Sequence, residues 1–92
     1  MLANELHNIS MAVVSNEANR IADTLFDIAI EEMSKKAKLG HFDFSLPIEY
    51  DVSQDVLDFA IDNLRERLIQ NGFSVAQRGR FLDISWRSAK GN

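Results

Sequence analysis

The chain has 92 residues, a mass of 10.4 kDa, 46% hydrophobic residues and 26% charged ones, which fits one globular domain built on a single core. It has no cysteine, so disulfides, thiolate nucleophiles and Cys-based metal sites are excluded. No apolar run nears the roughly 20 residues of a membrane span and no basic leader precedes one, so a soluble cytoplasmic protein is expected, without membrane contact.

The net charge of −4 is uneven along the chain. Residues 1–40 hold four basic against six acidic residues, residues 41–71 two against seven, and residues 72–92 four against one. A globally acidic chain is poor at non-specific DNA binding, while its basic last fifth could hold a local anion.

Leu2, Leu6, Ile9 and Val13 recur at spacings of 4, 3 and 4, which predicts a helix over about 3–13. Ala18, Ile21, Leu25 and Ile28 form a second stripe, offset by a five-residue step that contains Ser15 and Asn16. Those two are good cap residues, so a kink or break is expected there, followed by a longer helix over about 16–39. Lys35, Lys36 and Lys38 favour the negative end of that helix, and Gly40 its left-handed terminus.

Residues 41–50 alternate, with Phe42, Phe44, Leu46 and Ile48 on one side, and so read as a half-buried strand. Pro47 cannot donate to a ladder, which confines this strand to an edge or ends it. Asp51 with Gln54 resembles a capping box, with Ser53 as the rival cap. Val56, Leu57, Ala60, Ile61, Leu64 and Leu68 mark the inner face of a helix that ends at Asn71-Gly72-Phe73. Two strands follow, one led by Phe73 and Val75 and one by Leu82, Ile84 and Trp86, joined by the turn Gln77-Arg78-Gly79-Arg80.

The order predicts a two-layer α+β domain: a small three-stranded antiparallel sheet covered by helices on one face. Residues 1–14 form a helical arm, 15–88 the domain, and 89–92 a frayed tail. One small sheet cannot cover both helical stripes. Leu2, Leu6, Ile9 and Val13 are therefore the expected contacts of a homo-oligomer.

Candidate chemistry is sparse. His7 and His41 lie 34 residues apart on different elements, too few ligands for a metal site. No nucleophile elbow, phosphate loop or dinucleotide glycine pattern occurs, and no pair among the 14 carboxylates stands out, so neither an enzyme nor a cofactor is expected. Asp51, Asp55, Asp58 and Asp62 recur at 4, 3 and 4 opposite the apolar face of their helix. They suit a basic protein partner as a phosphate-like ridge, or are simply a solvated face. Arg78, Arg80 and Arg87 cluster on and beside the last hairpin, where guanidinium forks fit phosphate oxygens and Gly79 permits close approach. The hairpin resembles the basic wing of winged-helix proteins, yet residues 53–71 lack the turn that separates positioning and recognition helices.

Residues 15–86, about three-quarters of the chain, resemble a loose group of small phage-encoded accessory proteins. The resemblance lies in Ser15-x-Glu17-Ala18, Lys38-Leu39-Gly40, the aromatic strand into Pro47, Asn71-Gly72-Phe73 and Leu82-Asp83-Ile84-Ser85-Trp86. It implies an accessory role in the host cytoplasm, where some proteins of this size disarm host defences by binding a host protein or sequestering a nucleotide signal. It carries over no functional residue. The expected function is capture of an anion, a nucleotide or single-stranded nucleic acid, by Arg78, Arg80 and Arg87 in a homo-oligomer. The alternatives are inhibition of a basic host protein through the acidic ridge, or a structural virion or scaffold role.

Overall fold

The computed structural model describes residues 1–89. Its elements are α1 (Leu2–Lys38), β1 (Asp43–Pro47), α2 (Gln54–Gln70), β2 (Ser74–Arg78) and β3 (Phe81–Ser85), an α+β fold. The expected tail at 89–92 falls, beyond residue 89, outside the described residues.

The expected break at Ser15 and Asn16 is absent: α1 runs unbroken for 37 residues. Neither residue is a glycine or a proline, so nothing in the backbone forbids the helix, and no side-chain cap forms there. The five-residue step rotates one stripe against the other instead of ending the helix. At 100° per residue, the stripe of Leu2, Leu6, Ile9 and Val13 lies roughly 160° around α1 from the core stripe. That core stripe is Ala18, Ile21, Ala22, Leu25, Ala29 and Met33, whereas Ile28, expected inside, is exposed.

α1 and α2 run parallel. Asn63 Nδ2 donates to Asn19 Oδ1 at 2.6 Å, and Arg67 reaches Asp23, both pairs separated by 44 positions. The same offset puts Gln54 level with residue 10, so the first turns of α1 have no helix beside them. Alanines at 18, 22, 29 and 60, all 2% exposed or less, let the two axes approach closely. A helix of 37 residues is about 55 Å long, and it sets the longest dimension of the molecule, 56 Å.

Both helices end alike. Gly40 (φ +87°) and Gly72 (φ +91°) take the left-handed position, and the N–H groups of His41 and Phe73 donate back to the carbonyls of Lys36 and Leu68. At the start of α2 the rival cap prevails over Asp51: Ser53 is extended and its Oγ accepts from Val56 N at 3.3 Å. Gln54 donates to Asp58 rather than closing a box with Asp51.

The sheet order is β1-β3-β2, all antiparallel, with Pro47 on an edge strand as its missing N–H requires. β1 is shorter than the alternation suggested, although Ile48 N still donates to Arg80 O at 2.7 Å. Leu46, Leu82 and Ile84 turn inward with Phe44 and Val75 onto Leu64, Leu68 and the α1 stripe. The ring of Trp86 meets Phe73 edge-on with centroids 6.4 Å apart, closing the core at the end of the sheet. Both helices cover one face, leaving the other open.

Candidate functional site

The period of two places Asp43, Ser45, Pro47, Ser74, Ala76, Arg78, Phe81, Asp83 and Ser85 on the uncovered face. At one end of it, Gly79 and Arg80 make the two-residue β2–β3 turn. Only Gly79 has positive φ (+61°), so the turn is of the II′ type and tolerates a side chain at Arg80.

Arg78 lies across this face. Its Nε donates to Asp83 Oδ2 at 3.1 Å and Nη2 to Oδ1 at 3.4 Å, while its guanidinium sits 5.3 Å from the ring centroid of its cross-strand neighbour Phe81. Ser45 Oγ donates to Asp83 Oδ1 at 2.6 Å from the opposite strand. The Arg78 hydrogen bond, helped by that of Ser45, holds the Asp83 carboxyl below its usual range, and Asp83 raises Arg78 in return. At the other end of the sheet the arrangement repeats: Arg87 Nη2 is 3.7 Å from Asp43 Oδ2 and its guanidinium 4.9 Å from the centroid of Phe42.

Arg78 and Arg87 therefore do not converge with Arg80 on one point. Each holds a carboxylate and a phenylalanine of its own, and Arg80, on the turn, makes no ion pair among the described residues. Phe42 and Phe81, 47% and 40% exposed, complete the two clusters and were missed as site residues. Phe81 was legible, being out of phase with Leu82 and Ile84. Phe42 was not, because the alternation assigns it to the buried side.

Asp83 gives a direct check. A lowered folded-state carboxyl contributes stability that is present above the unfolded value and lost as pH falls through the folded one. Followed by NMR, Asp83 should titrate below the ordinary aspartate range in the intact protein, and its midpoint should rise in Arg78→Ala. An unmoved midpoint removes Arg78 as the cause.

The acidic ridge is shorter than expected. Asp51 precedes the helix in a bend, because the cap falls on Ser53, while Asp55, Asp58 and Asp62 line the exposed side of α2 and Glu66 extends them. On the same exposed side of α2 stand two apolar side chains, Phe59 among these acids and Ile69 one turn beyond Glu66. Beside them, Ser15, Asn19, Phe59, Asp62, Glu66 and Arg67 line an open hollow of about 560 Å³ between the helices.

Among the described residues, no three His, Asp or Glu side chains gather as a metal ion would require, and no helix is long and apolar enough to cross a membrane. No family profile, curated protein or solved structure matches the chain.

Proposed function

We propose that the protein is a non-enzymatic binding protein, working as several associated copies, that captures an anionic ligand on the uncovered sheet face. The ligand class is a nucleotide or single-stranded nucleic acid. The observation that supports this is the doubled Arg–Phe pair: Arg78 on Phe81 and Arg87 on Phe42 each offer a guanidinium for a phosphate beside an exposed ring for a base. Asp83 and Asp43 compete for the same arginines, but exposed ion pairs are weak, so a phosphate can displace them. Arg80, on the turn, makes the first electrostatic contact. The resemblance to phage accessory proteins adds a role for such capture, removal of a nucleotide signal in the host cytoplasm.

Fluorescence anisotropy of a labelled single-stranded oligonucleotide tests this reading. Binding is expected at low salt and should weaken as salt rises. Arg78→Ala with Arg80→Ala should lower affinity at least tenfold, Phe81→Ala about five- to a hundredfold, and Asp83→Asn should raise it. Absence of binding to both the oligonucleotide and the free nucleotide at low salt sinks the proposal. One observation favours a second reading, inhibition of a basic protein: Phe59 and Ile69 are apolar anchors on the same exposed side of α2 as Asp55, Asp58, Asp62 and Glu66.

A further inference from the structure

We infer that a second copy of this chain covers the apolar stripe at the start of α1, and that the two stripes pair antiparallel, Leu2 on the partner's Val13 and Leu6 on the partner's Ile9. This deepens the self-association in the reading above and is independent of what the sheet face binds.

The stripe is built for a helical partner. Leu2, Leu6, Ile9 and Val13 are 70%, 55%, 62% and 63% exposed, and their 4-3-4 spacing is the 3.5-residue repeat of a two-helix seam. They point away from the domain, roughly 160° around α1 from its core stripe, so among the described residues no segment of the same fold reaches them. Their exposed surface is on the order of 400 Å², the size at which an apolar patch marks a contact surface. Two such patches remove about 800 Å² from water. Met1, 91% exposed, and the flanks of the seam carry the total toward the roughly 1,200 Å² of a stable interface.

Direction follows from what continues the repeat. The next seam positions after Val13 are Asn16 and Arg20. A parallel pair would set Arg20 against its own copy, like charge on like charge, with two chains of net charge −4 side by side. Reversed, the four apolar residues match one another completely, because 2 with 13 and 6 with 9 share one midpoint. The overlap then stops one turn short of Ala18, the first buried residue, so the partner meets no part of the body. Ala3, Ser10 and Ala12 flank the seam and allow close approach of the two helices. The contact is a closed two-fold one.

The chain has no cysteine, so single cysteines report the register cleanly. Light scattering should give a mass near twice 10.4 kDa, falling to 10.4 kDa in Leu6→Asp/Ile9→Asp with the body still folded. On mixing affinity-tagged Leu6→Cys with untagged Ile9→Cys and oxidising, the tagged–untagged disulfide should dominate. Leu6→Cys linking mainly to itself overturns the antiparallel register, and a trimer or larger assembly overturns the two-fold geometry. A monomer mass at every concentration overturns the pairing outright. Oligonucleotide binding measured on that same sample then shows whether the ligand reading stands without it.

Discussion

Leu64→Ala is expected to destabilise the folded body by about 3 kcal/mol, lowering the thermal midpoint by roughly 10–25 °C. Leu64 is fully buried on α2, under the sheet and against α1, where truncation opens a cavity that close-packed neighbours fill only in part. Domains of this size are stable by only about 5–15 kcal/mol, so the variant should fold but unfold readily. The same change at Leu6 is the control. Leu6 is 55% exposed, and in dilute solution Leu6→Ala should move stability by no more than about 0.5 kcal/mol. Calorimetry of the two variants checks the division of α1 and α2 into core and arm. Equal losses refute it.

Asn16→Pro is expected to remove about a quarter of the helical circular dichroism signal while leaving the thermal midpoint of the body nearly unchanged. Proline inside a helix deletes one hydrogen bond and clashes with the carbonyl four residues back, at a cost of about 3 kcal/mol where the flanking turns are held in place. In dilute solution, where copies are unpaired, residues 2–15 have little of the domain beyond Val14 and Ser15 against them, so they should unwind rather than strain the body. They make up 14 of the 54 residues in the two helices. The outcome separates two structures of the chain. Were a second helix to start at Ser15 and Asn16, proline would occupy its tolerated first turn and the signal would not change. A projecting helix of about 12 residues is also marginal alone in water. Its helicity in the unaltered protein should therefore rise with concentration as copies pair.

Much of the fold is local and was open to sequence reasoning. Gly40 and Gly72 end their helices because only glycine takes a positive φ there without penalty, and each is followed by an N–H that closes the last turn. The inner faces of α2 and of β3 follow from periods of 3.6 and 2, which belong to the backbone and not to the neighbours. Pro47 had to be at an edge for want of a donor. The α+β class follows from adding these pieces in order.

Other features depend on which surfaces meet, and only the tertiary structure decided them. Ser15 and Asn16 are as compatible with a helix interior as with a cap. α1 stays continuous because neither residue is a glycine or a proline, so the backbone hydrogen bonds run on through the step. Ile28 reads as core and is exposed, while Ala22, Ala29 and Met33 are buried, because α2 lies parallel to α1 and selects the narrow side of that helix. The arginines show the same limit. Their positive charge was legible, but their partners were not: Asp83 is five residues from Arg78 yet reaches it across the hairpin, and Asp43 meets Arg87 only because β1 pairs with β3. Strand pairing brings together residues far apart in the chain. A sequence period determines which way a side chain points, and the sheet register determines what it finds there.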